Sequence, residues 1–373
     1  HELPQAHAVI NPNRLDDTSG QGALCAAGVV MVLIAATSKL LRARGWWSDA
    51  RPEPDLMAMM DLVALGTVCD VVPLVGLNRA YVRQGLKIMA RRDRPGIAAL
   101  ADVARLSRRP DAHSLGFVLG PRLNAAGRIG SAMDGLALLT SHDRGHAMQL
   151  AQSLEEMNKQ RQAIELATVD RAVEQAKAML GKAARLPVLV VAGEGWHPGV
   201  LGLVASRLKE RFDKPAFAIG LPKDGSQASG SARSIAGVNL GAVVQAAVAA
   251  GVAVKGGGHA MAAGITLEQA RLGDLRAFLE HQLAAEVDAV SSVDSLVIDA
   301  AIAASGASTR FIEDLDRAGP FGQGNPSPVF ALPSHKVVYA ARAGADLVRC
   351  TLVQSDGTRL KAIAFRALGT ELG

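Results

Sequence analysis

The sequence predicts an α/β protein of several domains, and three observations predict it. After Leu186 a strand–helix–strand pattern runs through Leu186–Val191, Pro198–Arg211 and Ala216–Gly220. From His146 to Leu180 there is neither Gly nor Pro, which implies one extended helix. Beyond Val287 the texture changes to short strand-like stretches. A chain of 373 residues is too long for one ordinary core, so two or three domains are expected.

In order along the chain, Ala8–Asn11 reads as a short strand ended by the turn signal Asn11-Pro12-Asn13. A helix follows from about Ala23 to Arg44. Asp55–Leu65 is a second helical run, broken by Gly66, and Asn78–Arg91 and Gly96–Ala104 have helical periodicity. In the long run, Leu150, Leu154, Met157 and Ile164 fall near heptad spacing, with Arg161 and Thr168 interrupting the stripe. Its simplest role is a strut between domains. Helices are expected again near Leu240–Ala250 and Leu267–Leu283. Ser295–Asp299, Lys336–Ala341, Asp346–Gln354 and Arg359–Phe365 read as strands, with Ser355-Asp356-Gly357 as a hairpin turn.

Nearly half the residues are apolar (49%), a globular composition rather than a disordered or fibrous one. The formal charge of +5 suits a polyanionic partner without requiring one. Cys25, Cys69 and Cys350 are odd in number and far apart, which argues for a reducing compartment and against a thiolate zinc site. The apolar stretch Gly22–Thr37 is short for a membrane span and reads as a buried helix. No membrane association is expected.

Five segments carry candidate chemistry. Within Ala64–Pro73, Asp70 follows an apolar segment and a Gly-Thr turn; its carboxylate suits Mg²⁺ or Mn²⁺, or else it caps a helix or turn. Arg122, Asn124 and Arg128 lie in Gly120–Arg128; arginine suits bidentate phosphate contact, or else the two are surface arginines on a Gly-bounded loop. His197 precedes Pro198, a residue favoured at the first helical position. It either flanks an anion at that helix N-terminus or caps the helix. Ser231, Arg233 and Ser234 in Ser229–Ser234 form a plausible phosphate cradle or a Ser-rich turn. Gly257, Gly258 and His259 belong to a triple-glycine stretch followed by what reads as a tight Ala/Met helix. Three consecutive glycines cost folding entropy, and close backbone approach to a ligand explains them.

Taken in this order, the segments resemble the DHH/DHHA1 phosphoesterase superfamily, and within it the RecJ exonucleases. Ala64–Pro73 is similar to the last metal-binding motif of the DHH domain. Gly120–Arg128 is similar to the RecJ "GPRLNAAGR" segment, and Gly195–Gly202 to "GWHPGVVG". Ser229–Ser234 resembles "GSGRS" with Ala232 in place of glycine, Gly257–Gly264 resembles "GGHAMAAG", and Pro320–Pro326 resembles the segment leading into the OB domain.

The resemblance implies a division into the C-terminal part of a DHH domain (1–140), a connecting helix (141–182), a DHHA1 domain (183–286) and an OB-fold-like domain incomplete at its C-terminus (287–373). It implies 5′→3′ hydrolysis of single-stranded DNA with two Mn²⁺ or Mg²⁺ ions. It also implies a monomer in the bacterial cytoplasm, with a helicase and a single-strand-binding protein as partners. By the same resemblance Ser231 and Arg233 hold the terminal 5′-phosphate, and Arg122 and Arg128 contact backbone phosphates with His259 close by. Phe311, Phe321, Phe330 and Tyr339 are the few candidates for base stacking. The family's first acidic motifs and its DHH triplet fall ahead of Leu3–Asn13. His1 is read as lying a few residues past the triplet, with its last histidine as the other reading. Asp70 is then the one secure metal ligand, and the expectation is a chain that binds strands but does not turn over by itself. The rival functions are a phosphodiesterase of short oligonucleotides or cyclic dinucleotides, which would lack the C-terminal β-rich domain, and a non-catalytic nucleic-acid-binding fragment.

Overall fold

The computed structural model describes residues 3–181, 185–290, 296–344, 347–365 and 367. His1 lies outside them. The chain divides into two compact units, one of residues 1–93, 108–117 and 295–373, the other of 94–107 and 118–294.

The first unit opens with α1 (Ala26–Ala43), α2 (Met60–Cys69) and α3 (Gly76–Met89). Met31, Met60, Val63 and Ile88 form their shared core. The helices cross closely because glycine sits at the crossings. A Cβ on Gly85 would lie 2.2 Å from the Met60 carbonyl oxygen, and one on Gly66 would lie 2.9 Å from the Ala27 Cβ. Gly66 therefore does not break the helix; α2 runs through it because a neighbouring helix needs the space. Two further expectations are corrected. Residues 8–11 form no strand. In α1 only Gly28, Met31 and Ser38 are buried, whereas Val30, Leu33 and Leu40 are exposed. Among the elements described, α1 packs chiefly on α2, so one face is covered. By length and composition alone α1 could span a bilayer.

The second unit holds α4 (Pro95–Val103), α5 (Gly120–Ile129), α6 (Ala132–Thr140) and the 37-residue α7 (Arg144–Leu180). Asp143 caps α7 by accepting from the His146 N–H at 2.6 Å. Segment 120–128 is a helix, not a loop. Pro121 fits its first turn, and its small face (Ala125, Ala126) buries completely. Helix α7 is more than a strut, since its first half packs on α4, α5 and α6 and its second half on α8 and β1.

The rest of this unit is β1 (Leu189–Glu194), α8 (Pro198–Phe212), β2 (Ala216–Leu221), β3 (Ala228–Arg233), α9 (Leu240–Ala249), β4 (Lys255–His259), β5 (Ala262–Leu267) and α10 (Leu272–Val290). The sheet order is β1-β2-β3-β5-β4. β1 and β2 are parallel, as the expected βαβ unit requires, and the remaining pairs are antiparallel. One face buries Val188, Val190, Phe217, Ile219 and Ile265 with α9 and α10. The other buries Leu189, Val191, Ala216 and Ala218 with α7 and α8. The glycine-rich stretch continues as strand β5 rather than a helix. Ala263, Ile265 and Leu267 alternate inward, a period of two that a helix cannot place on one face.

Back in the first unit, β6 (Ala300–Ala301) pairs in parallel with β7 (Phe330–Ala331) on either side of α11 (Thr309–Ala318) in sequence. Then β8 (Lys336–Arg342), β9 (Leu347–Val353) and β10 (Arg359–Phe365) form an antiparallel meander. Its second hairpin turns at Gly357, φ 85°, where Ser355-Asp356-Gly357 predicts a turn.

Candidate phosphate-binding site

Strand β3 sets the site. Ala228, Gly230 and Ala232 point into the core, while Ser229, Ser231 and Arg233 are half-buried on the α8 side. Register extends that face across the sheet in three rows: Arg233–Ala262–His259, Ser231–Gly264–Gly257 and Ser229–Thr266–Lys255. Directly opposed residues share a face. These rows therefore present hydroxyls, a guanidinium, an imidazole and an ammonium with no carboxylate among them. The next positions, Gln227 and Glu268, bond each other at 2.9 Å and end the stripe with a negative charge.

The glycines divide by role. Gly256 and Gly258 serve the fold, because a Cβ would lie 2.5 Å from Val244 Cγ1 in the first and 2.3 Å from the Ala262 carbonyl oxygen in the second. At Gly257 a Cβ would meet nothing within 4 Å, and at Gly264 only the Gly230 carbonyl at 4.0 Å. Internal packing does not require glycine at these two places. They leave the face open there, as a close-approaching ligand would need.

Two arginines converge beside this face. The Arg233 guanidinium lies over Gly202 of α8, where a Cβ would come within 2.8 Å of Nη2. Arg128, on α5, donates to the Gly199 carbonyl at 2.9 Å. Among the described residues Arg233 donates to the Ala232 carbonyl alone, at 2.8 Å. Neither forms an ion pair with a carboxylate among the described residues. Burial lowers the pKa of both, and their proximity adds to it: Arg128 presses on Arg233, and Arg161 on Arg128. Half-buried like charges without a counter-ion are unfavourable, and a bound anion relieves them.

Behind Arg128 lies a buried triad on α7 that none of the five motifs contains. Arg161 donates through Nε and Nη2 to Asn158 Oδ1, at 3.3 and 3.0 Å, and through Nη1 to Glu165. Its side chain is 9% exposed and that of Glu165 14%. Glu165 also lies 3.6 Å from Arg207 of α8 and offsets part of the field on Arg128. A signal for it exists in the sequence: Asn158, Arg161 and Glu165 share a helix face where the apolar stripe is interrupted.

Other expected residues go elsewhere. Arg122 is engaged by Glu155 at 2.5 Å and by the Val118 carbonyl at 2.6 Å. Asn124 is exposed on α5. His197 caps α8, its Nδ1 accepting from the Gly199 N–H at 3.1 Å. Ser234 is buried and donates to the Val238 carbonyl at 2.8 Å, so it shapes the turn after β3 and does not reach the open face.

Asp70 belongs to the first unit, exposed at the C-terminus of α2. Acidic residues favour the opposite end of a helix, so capping does not explain it, and a cation would be welcome there. Among the described residues, however, no three His, Cys, Asp or Glu side chains come together as a metal site. At the neighbouring Cys69, burial and the charge of Asp70 push the thiol up to about 11, and a thiol is a poor ligand for hard cations. Asp70 with these neighbours does not fit a two-metal centre, and no catalytic step at a metal follows from them. A thiol near 11 leaves little thiolate at pH 8; Cys69 should react with iodoacetamide roughly 100-fold more slowly than an unperturbed cysteine, as peptide mass spectrometry can follow.

The α/β sheet of the second unit, with its open candidate face, and the β meander of the first each fall in a segment that matches a known domain. Residues 185–285 match the DHHA1 domain and residues 298–372 the RecJ OB domain. Single-stranded-DNA-specific exonuclease RecJ of Dickeya dadantii is 39% identical over 334 residues, 88% of this chain and 58% of that protein. The Haemophilus influenzae RecJ is 34% identical over 97% of this chain and 64% of its own length. Thermus thermophilus RecJ, solved with Mg²⁺, superimposes with a TM-score of 0.67 at 29% identity, covering 84% of this chain and 47% of that one. A RecJ exonuclease solved with manganese gives a TM-score of 0.53 at 32% identity, covering 65% of this chain and 58% of that one. By sequence and structure the chain belongs to the RecJ family. It spans less than two thirds of the length of these relatives.

Proposed function

We propose that this chain is the strand-gripping part of a RecJ-type exonuclease that hydrolyses single-stranded DNA from its 5′ end. The observation that carries the reading is the pair Arg128 and Arg233, half-buried, mutually repelling and without a carboxylate partner among the described residues, beside a face of Ser231, Gly257, Gly264 and His259. A terminal phosphate supplies the missing counter-charge, and Ser231 and the open glycine floor let it approach the backbone. Holding the 5′ end gives direction to the reaction. The solved relatives bind Mg²⁺ or Mn²⁺, and such ions would supply the activated water for hydrolysis. The described residues of this chain bind and orient the strand but do not complete that centre, so mononucleotide release is not expected from them alone. A helicase and a single-strand-binding protein as partners, action as a monomer and a cytoplasmic setting belong to the same reading.

Arg233→Ala and Arg128→Ala should each weaken binding of a 5′-phosphorylated oligodeoxynucleotide by about 10- to 100-fold, the worth of a charge-assisted hydrogen bond. Fluorescence anisotropy measures this, and unchanged affinity in both variants would remove the assignment.

A further inference from the structure

In the first unit two cavities, of about 480 and 560 Å³, adjoin and share Ala112, His113, Phe321 and Ser327. Together they form a groove between α3, the segment 109–117 and the loop from Gly319 to Ser327. One end is cationic. Arg83 and Lys87 lie four residues apart on exposed positions of α3, with Arg109 across from them, and none of the three has an ion-pair partner among the described residues. Of the two acids there, Asp111 already accepts from Ser114 at 2.5 Å and faces Arg108 at 3.4 Å, which leaves Asp316. At the other end Val68, Cys69, Val71 and Val72 line the wall, so the groove runs to the loop that carries Asp70.

Phe117 lines the cavity at this second end, and its neighbour His113 lines both cavities. Phe117 is 73% exposed in a chain with only eight Phe, and it stacks on His113 with ring centroids 4.8 Å apart and planes 26° from parallel. The pair is presented by a π-helical turn, Ser114–Leu119, in which Ser114, Leu115 and Leu119 are buried while Phe117 turns outward. Irregular turns of this kind recur at functional sites. Core packing does not explain an exposed ring held flat by a neighbour. A flat aromatic platform beside unpaired cations is what single-stranded nucleic acid recognises, bases on the ring and phosphates on the cations.

We infer that this groove is a second contact for single-stranded DNA, in which a base stacks on Phe117 and backbone phosphates meet Arg83, Lys87 and Arg109. It rests on the reading that the chain binds single strands, and it adds a site made of other residues than the 5′-phosphate pocket. The unpaired cations favour a polyanion over a protein partner as the occupant.

The test uses the whole chain and a 20-residue oligodeoxythymidylate with either a 5′-phosphate or a 5′-hydroxyl. Phe117→Ala should weaken binding of both by about tenfold, the loss of one stacked base, and should keep the preference for the phosphate. Phe117→Trp should restore affinity. The double variant Arg83→Ala/Lys87→Ala should reduce the slope of log K against log salt by about 1.4, roughly 0.7 for each phosphate no longer neutralised. Affinity and slope that stay unchanged in these variants overturn the inference, and a protein-binding groove would give that result. No binding by the unaltered chain overturns both this inference and the proposed function. A Phe117 effect without any preference for the 5′-phosphate overturns the phosphate pocket and supports this groove.

Discussion

Arg161→Ala should lower the unfolding free energy of the second unit by about 3–5 kcal/mol, the cost of removing one member of a buried ion pair. The loss exceeds that of an ordinary surface pair for a geometric reason. Arg161 uses all three of its nitrogens on buried acceptors, Asn158 is 2% exposed, and Glu165 is left in a site that is 14% exposed. Arg207, at 3.6 Å and half-exposed, is too loosely placed to replace it. The double variant Arg161→Met/Glu165→Met should recover much of the loss, since an apolar pair leaves no stranded charge. Urea unfolding measures both. A change under about 1 kcal/mol in the single variant would mean that the triad is solvated and has no part in fixing α7 behind Arg128.

Glycine supplies the second large effect, through a contrast of positions. A Cβ on Gly199 would lie 2.2 Å from the Arg128 carbonyl oxygen, and backbone cannot yield as a side-chain tip can. Gly199→Ala should therefore push α5 from α8, cost about 1–3 kcal/mol as overpacking does, and misplace Arg128, whose guanidinium is tied to the same residue. Both stability and affinity for a phosphorylated strand should fall. Gly257→Val and Gly264→Val intrude on open space instead. They should leave the thermal midpoint nearly unchanged while reducing strand affinity, because the bulk fills the floor that the ligand uses. Equal melting shifts in all three variants would contradict the division of the glycines into those the fold needs and those the ligand needs.

Periodicity makes most helices legible. α3, α4, α7 and α8 fall within a few residues of where 3.6-residue spacing and Gly/Pro punctuation put them, and the parallel pair β1 and β2 follows from the βαβ pattern. Helix α5 reads as a loop because Gly120, Pro121, Asn124 and Gly127 are poor helix formers. Tertiary packing of Ala125 and Ala126 overrides that propensity. Strand β4 is hidden for a related reason. Lys255-Gly-Gly-Gly-His259 has no side-chain period of its own, and its partner β5 supplies its structure. The site divides along the same line. Arg128, Ser231, Arg233 and His259 stand out in short motifs, whereas the burial of Ser234, the engagement of Arg122 by Glu155 and the triad on α7 depend on contacts between distant segments. Of the four aromatic candidates for stacking, Phe311 and Phe330 pack edge to face on each other at 5.1 Å and Phe321 lines the groove with Phe117. Tyr339 stands exposed on β8.

At the centre of the proposed function, the second unit holds a phosphate at the end of a strand between Arg128 and Arg233. The direct measurement is the dissociation constant of the unaltered chain for one oligodeoxynucleotide carrying either a 5′-phosphate or a 5′-hydroxyl, at a single fixed salt concentration. The phosphorylated strand should bind at least about tenfold more tightly. Equal affinity for the two ends would contradict the phosphate pocket.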